Sequence, residues 1–376
     1  MKQIPVILFG AGGVGRTLIR QMIDGRDRIA SRANTHFNIV GLADSRRWLL
    51  EPEGMDDTYL EAVLAAKANK EPLPAGKPGE IATAKRRQAI QEQLERESRP
   101  SAVEMVQQAY DAGIQNAILV DLTAADGMED ALAQALELGY SIVLANKKPL
   151  AGPWERAQRF YNNDRVRHES TVGGGQPVIA TMRYLVDIKD EIYEVSGQLS
   201  GTLGYLCQRM DEGASYSEAV AEAKMKGYTE PDPREDLGGK DVMRKVLIMG
   251  RMAGWPLEES DIEVESLYHD SLANLSVMEF MQATVSMDGK MKERVNTAGA
   301  SGELLRYIGT VNKDGGTVGL QALPMESPLA NLKFIRYHTK LYDEEPMLIC
   351  GKGAGLEMTA GGVLGDMIAL AREVHH

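Results

Sequence analysis

Cysteine is almost missing from this chain: its 376 residues carry two, Cys207 and Cys350. They lie far apart and form no Cys-x-x-Cys pair, which fits a reducing compartment and offers no disulfide framework. Histidine is scarce as well. Of the six (His36, His168, His269, His338, His375 and His376), only the terminal two are closely spaced, so no zinc-ligand pattern exists. No apolar run reaches about 18 residues, the length a membrane span requires. Positive charge is in deficit, with 42 Lys and Arg against 54 Asp and Glu, a net charge of −12. That balance argues against nucleic acid or an anionic membrane as a partner. The start, Met1-Lys2-Gln3-Ile4-Pro5-Val6, lacks a signal-peptide pattern, and the expected location is the cytoplasm.

What is present points to two domains. The chain is 43% apolar and long enough to bury a sizeable core. Residues 4–9 form a continuous apolar run, as in a strand covered on both faces of a parallel sheet. A glycine-rich stretch follows, then an amphipathic helix over 17–23 and a second strand over 38–44. Further apolar strands at 117–121 and 141–145 flank a helix through 127–138. Strands alternating with helices imply a Rossmann-type, doubly wound α/β sheet. Residues 51 to about 112 read as helices exposed and charged on one side, with a proline-marked loop near 71–80, a solvated insertion without an assigned role. Near 150 the pattern changes. Strand-like alternation at 192–206 and 316–350, with helices at 215–227 and 240–254, predicts a second, α+β domain. The apolar helix 356–374 is expected to return to the first domain. The predicted division is therefore a dinucleotide-binding domain over 1–149, completed by 355–376, and a substrate, catalytic and dimerisation domain over 150–354.

Gly10-x-Gly12-x-x-Gly15 gains its meaning from its place between a strand and a helix. Gly10 permits the tight turn, Gly12 lets a pyrophosphate approach the backbone, and Gly15 lets helix and strand pack closely. Gly13 and Val14 belong to the same cofactor-binding turn, and the N-terminus of the helix that follows offers free N–H groups and a partial positive charge to phosphate. Asp44 ends the second strand, where an acid can accept bonds from the adenosine ribose and favour NAD. Ser45-Arg46-Arg47 follows at once, and guanidinium groups match the 2′-phosphate of NADP. The two signals conflict, and the balance leans to NADP with NAD accepted. Thr123, at the C-terminal end of a strand, is placed for the nicotinamide-side ribose. Lys147 follows another strand directly and can reach a reaction centre.

The densest chemistry is the run Gly227-Tyr228-Thr229-Glu230-Pro231-Asp232-Pro233-Arg234-Glu235-Asp236-Leu237, continued by Gly238-Gly239-Lys240-Asp241-Val242-Met243-Arg244-Lys245. Ser215-x-x-Glu218 is a capping box opening the helix before it, and Gly227 is a C′ stop. Asp241 and Lys245 stand four apart, on one helix face. Taken alone they make an ordinary ion pair worth roughly 0.3–0.5 kcal/mol. The whole run, however, resembles homoserine dehydrogenase. So does the order of the runs around it: Glu169-Ser170-Thr171-Val172-Gly173-Gly174-Gly175, Ser200-Gly201-Thr202-Leu203-Gly204-Tyr205, Gly351-Lys352-Gly353-Ala354-Gly355, and Thr359-Ala360-Gly361-Gly362-Val363-Leu364-Gly365-Asp366. The resemblance covers nearly the full length except the segment near 50–110.

That resemblance implies an NAD(P)-dependent oxidoreductase interconverting L-homoserine and L-aspartate 4-semialdehyde, in threonine, methionine and isoleucine biosynthesis. Glu230 and Asp241 would hold the substrate, whose ammonium needs anionic partners once desolvated, with Gly227 beside them. Lys245 matches the family's proton-transfer lysine, and partial desolvation would lower its pKa towards working pH. Lys147 matches a second lysine where cofactor and substrate meet, and Asp236 a residue that orients Lys245 or orders water. Gly353 matches a loop touching cofactor. Glu169, with main-chain oxygens of Val172, Gly174 and Gln176, matches a monovalent-cation site, sodium being the expected ion. The family suggests a homodimer. The chain's extent predicts a monofunctional enzyme without an appended regulatory domain. Cys207 has no base at suitable spacing and reads as a small buried apolar residue. A phosphorylating semialdehyde-type dehydrogenase needs a cysteine with a nearby base, which the sequence lacks. A non-catalytic dinucleotide-binding sensor is the alternative, and it would need neither lysine.

Overall fold

The computed structural model of the chain describes residues 1–74 and 99–374. Residues 75–98, which include most of the proline-marked loop, and the terminal histidine pair lie outside the described residues. The chain divides into two compact units.

The first unit comprises Met1–Leu150, Glu155–Gly175 and Gly355–His376. Its six-stranded sheet runs in the order β3-β2-β1-β4-β5-β6, built from β1 (Lys2–Phe9), β2 (Thr35–Ala43), β3 (Trp48–Leu50), β4 (Ile118–Asp121), β5 (Ser141–Leu144) and β6 (Val166–Arg167). All neighbours pair in parallel except β3, which lies antiparallel at the edge. Val6, Ile7 and Leu8 are fully buried, as expected for a central strand covered on both faces. Strand order reverses between β1 and β4, which opens a crevice at their C-terminal ends. Three helices on this sheet matter below: α1 (Gly13–Asp24), α2 (Asp57–Ala68) and α3 (Ala102–Asp111). The last two belong to the segment read as a solvated insertion, yet they bury Tyr59, Leu60 and Val63, and Met105, Val106 and Ala109.

The C-terminal helix, Leu356–Glu373, buries Ala360, Val363, Met367 and Leu370 in the core of this unit. The turn at 169–175 packs along it. The Ser170 hydroxyl donates to Thr359 O (2.7 Å) and the Glu169 N–H to the Asp366 carboxylate (2.8 Å). A Cβ at Gly362 would lie 2.5 Å from the Ser170 hydroxyl, and one at Gly175, whose φ is +105°, 2.1 Å from Met358 O. Two of the glycine-rich runs noted in the sequence are thus the two sides of one packed joint. This joint, with β6 extending the sheet beside β5, puts Glu155–Gly175 in the first unit. The sequence reading had placed that stretch in the second.

The second unit comprises Ala151–Trp154 and Gln176–Ala354. Its main elements are α4 (Val178–Asp187), β7 (Ile192–Gly197), α5 (Gly201–Asp211), α6 (Tyr216–Met225), α7 (Lys240–Met252), β8 (Ile262–Val264), α8 (Val277–Ala283), α9 (Asp288–Ala300), β9 (Glu303–Asn312), β10 (Gly315–Pro324), β11 (Phe334–Thr339) and β12 (Met347–Cys350). The sheet order is β12-β11-β7-β9-β10-β8, antiparallel throughout except for the β10–β8 pair. Residues 201–206 are helical, not strand-like. Ser200 caps α5 by accepting the Leu203 N–H, and Thr202, Leu203, Leu206, Cys207 and Met210 form a buried face at helical spacing. Among the described residues no helix is long and apolar enough to cross a membrane.

Candidate active site

In the first unit the glycine turn closes directly onto β1. Gly10 has a φ of +107°, and a Cβ there would lie 3.0 Å from the Leu122 carbonyl carbon. A Cβ at Gly15 would lie 2.0 Å from Gly10 O, so α1 can sit this close to the strand only with glycine. A Cβ at Gly12 would meet nothing within 4 Å; the backbone there is open to a ligand. Gly12 is the N-cap of α1 and provides no side-chain cap, so the N–H groups of Gly13, Val14 and their neighbours are not taken up by a capping side chain. A pyrophosphate fits this set of donors.

Beside the turn lies a cavity of about 490 Å³ lined by Gly10, Gly12, Asp44, Ser45, Lys67, Arg99, Thr123 and Ala125, among others. Asp44 does not present a bare carboxylate to it. One oxygen accepts the N–H groups of Arg46 and Arg47 (2.8 Å each), and the other pairs with Lys67 at 2.7 Å. Burial by itself would raise the Asp44 carboxyl pKa, but the Lys67 ammonium and the two N–H groups outweigh it and hold it below the ordinary value. Arg47 turns inward to Leu73 O, while Arg46 is exposed. A second cavity of about 280 Å³ opens at Gly12 and gathers Arg16, Ser45, Arg46, Lys67 and Lys70, with Glu71 at its wall. Sequence reading found Arg46 here but not Lys67, Lys70 or Arg99. Those come from the segment left without a role, 23 or more residues beyond Asp44, where spacing carries no signal of contact.

Thr123 lines the larger cavity, and its hydroxyl donates to Asp121 (2.7 Å). Lys147 follows β5 in the half-buried turn before Lys148–Ala151.

In the second unit Gly238 and Gly239 swing the chain into α7. Gly239 needs its φ of +70°, and a Cβ would lie 2.3 Å from the Tyr307 hydroxyl. This fixes the first turns of the helix, hence Asp241 and Lys245. The Lys245 ammonium donates to Asp241 at 2.7 Å and to Leu199 O at 2.7 Å, with its side chain 16% exposed. Two of its three N–H groups are thereby committed and one is left over. Asp236 does not orient the lysine, as the sequence reading had allowed; Asp241 and the Leu199 carbonyl do. Asp236 instead accepts the Glu230 N–H at 2.8 Å. Burial raises its pKa, Glu230 and Thr202 partly offset that, and the nearby Asp241 charge adds to it. Thr202, whose hydroxyl donates to Tyr228 O (2.6 Å), ties α5 to the same loop. Its run was noted in the sequence, but no role was read from it. Glu230 is exposed, and Gly227 is the left-handed stop (φ +70°) after α6. The Ser215–Glu218 capping box is formed.

Glu169, Val172 and Gly174 belong to the first unit, and Gln176 opens the second. Glu169 is buried, and the glycines at 173–175 all have positive φ. Gly353 lies in the loop after β12. Among the described residues no cluster of three or more His, Cys, Asp or Glu is arranged to hold a metal. Cys207 is fully buried, and burial pushes its thiol up to about 12.

Two family profiles match the chain. The family profile described as homoserine dehydrogenase matches residues 177–368, and that described as homoserine dehydrogenase, NAD binding domain, matches residues 10–170. A homoserine dehydrogenase from Paracoccidioides brasiliensis is 39% identical over 280 residues, covering 69% of this chain and 75% of that protein. The chloroplastic bifunctional aspartokinase/homoserine dehydrogenase 1 of Zea mays is 34% identical over 98% of this chain, which spans 38% of that protein's length. Among solved structures, a Candida auris protein of unknown function superposes with a TM-score of 0.81 at 29% identity, covering 99% of each chain. A hyperthermophilic archaeal homoserine dehydrogenase in complex with NADPH shares the fold, with a TM-score of 0.69 at 22% identity over 97% of each chain.

Proposed function

The chain belongs to the homoserine dehydrogenase family, and on that premise we propose that it interconverts L-homoserine and L-aspartate 4-semialdehyde with NADP as the hydride carrier. The observation that carries this reading is Lys245, held by Asp241 and Leu199 O with one N–H uncommitted. The nicotinamide cofactor supplies or accepts the hydride. In the reductive direction the Lys245 ammonium hydrogen-bonds the carbonyl oxygen and gives it a proton; in the oxidative direction the proton returns along the same line. Glu230 and Asp241 grip the substrate ammonium, and Asp236 holds the Glu230 backbone in place. Lys147 serves beside the nicotinamide.

Preference for NADP rests on Asp44. A free carboxylate at that position repels a 2′-phosphate, whereas here it is paired with Lys67, which also lines the neighbouring cavity that gathers Arg16, Arg46 and Lys70. A monovalent cation would be held by hard oxygen donors, the Glu169 carboxylate and the main-chain oxygens of Val172, Gly174 and Gln176. The active form is a homodimer, checked by the mass in solution.

Reduction of NADP with L-homoserine, followed by absorbance, tests the reading. Lys245→Ala should lower kcat by on the order of 100-fold or more, and Glu230→Gln should act mainly on the KM for homoserine. A wild-type chain that binds NADP but turns over no homoserine would leave only a dinucleotide-binding protein.

A further inference from the structure

Beneath the C-terminal ends of β4 and β5 lies a buried carboxylate that the proposed reaction does not use. Asp121 is fully buried, and the adjoining Asn146 is 3% exposed. The two Asp121 oxygens serve different loops. One accepts both the N–H (2.9 Å) and the hydroxyl (2.7 Å) of Thr123, the residue lining the cofactor cavity. The other accepts the Asn146 side-chain amide at 3.0 Å. That amide also donates to Ala125 O at 3.0 Å, while its oxygen accepts the Lys148 N–H at 3.1 Å. The main chain repeats the pattern, since the Ala145 and Asn146 N–H groups both reach Asp121 O. Lys147 is therefore bracketed by Asn146 and Lys148, each bonded into a network that ends on Asp121.

The donors around Asp121 are neutral: a backbone N–H, a hydroxyl and an amide. Burying a carboxylate among neutral donors is costly, and a fold that needed only a loop clasp could use a neutral acceptor. A carboxylate, however, has acceptor sites on both oxygens and no donor, so it can hold two loops that each offer only donors. We propose that Asp121 is a positioning residue, which through Thr123 and Asn146 sets Lys147 against the nicotinamide end of the cofactor. The inference rests on the proposed dehydrogenase reading, because Lys147 matters only if chemistry occurs there.

Asp121→Asn isolates the effect. The amide keeps an oxygen for Thr123 but turns an NH2 towards the NH2 of Asn146, so the arm to the Lys147 turn breaks. Turnover should fall about 10-fold to 100-fold, as for an ångström-scale misplacement, while the KM for homoserine, set by the second unit's carboxylates, stays within about twofold. The decisive readout is the double variant Asp121→Asn/Lys147→Ala. If Asp121 acts through Lys147, the double variant is no slower than Lys147→Ala alone. Losses that multiply in full would overturn the proposal, as would an Asp121→Asn enzyme with unchanged kcat. Should Asp121→Asn not fold, Asn146→Ala, which breaks the same arm from its other end, should lower kcat to a similar degree; an unchanged kcat would also overturn it. A wild-type chain inactive on homoserine would strike the dehydrogenase reading itself, a different result from any of these.

Discussion

At the scale of single residues, the proposed preference for NADP turns on one charge pair. Asp44 occupies the position that discriminates against a 2′-phosphate, but Lys67 and two N–H groups hold it ionised and occupied. In Lys67→Met the carboxylate would face the phosphate unneutralised. The KM for NADP should rise about 10-fold or more, the scale of a lost charge-assisted contact of roughly 1.5 kcal/mol, with the KM for NAD little changed. Equal loss for both cofactors would count against the assignment. The same pair has an acid signature. The folded pKa of Asp44 lies below its unfolded value, so the pair contributes stability above about pH 4 and loses it as pH falls through the folded value. Thermal melts of Lys67→Met should accordingly decline less steeply than wild type as pH is lowered below about 4.

At the scale of elements, the β1–turn–α1 unit separates two jobs of glycine that a bare motif merges. Gly12→Ala meets open space and should leave the melting temperature within a few degrees, a change of about 0.5 kcal/mol or less, while weakening NADP binding sharply. Gly15→Ala drives a methyl into Gly10 O and should cost about 1–3 kcal/mol of stability, as overpacking does. Calorimetry with and without NADP distinguishes them, and similar melting points for the two variants would refute the division. This unit was legible in the sequence because its signals are local: an apolar run, a turn and an amphipathic helix in order. So was the Asp241–Lys245 pair, four residues apart on one helix. Contacts set by tertiary approach were not legible. Lys67 meets Asp44 across 23 residues, and Asn146 meets Asp121 across 25. The run at 201–206 was misread because glycine and threonine weaken a helical signal that Ser200 and the buried Leu203, Leu206 and Cys207 restore. Strand β9 and helices α8 and α9 went unread; α9 carries only Met291 and Ala298 as buried residues, too few to mark a period.

For the whole molecule, the chain passes between the two units more often than a single boundary at 150 would allow. Ala151–Trp154 joins the second unit before the chain returns to the first, and Arg251 holds it there. This side chain is fully buried in α7. It donates to Gly152 O (2.7 Å) and Leu257 O (2.9 Å), pairs with Glu258 (3.1 Å), and lies 5.4 Å from the centre of the Trp154 ring. Glu258 in turn accepts the Trp154 N–H at 3.0 Å. Arg251→Met keeps the bulk but strips the buried Leu257 carbonyl and the half-buried Gly152 carbonyl of their donor, so the second unit should lose about 3 kcal/mol. Urea unfolding can read that unit by itself. Trp154 and Trp255 lie in it, and Trp48, in the first, has a buried indole N–H with no hydrogen-bond partner among the described residues, so Trp48→Phe forfeits no such bond there. In that background the fluorescence midpoint should drop by roughly 1–2 M urea, at a denaturant slope of about 2 kcal/mol per molar. An unshifted midpoint would mean that the segment keeps its place without Arg251, and that the passage of chain between units is held by packing alone.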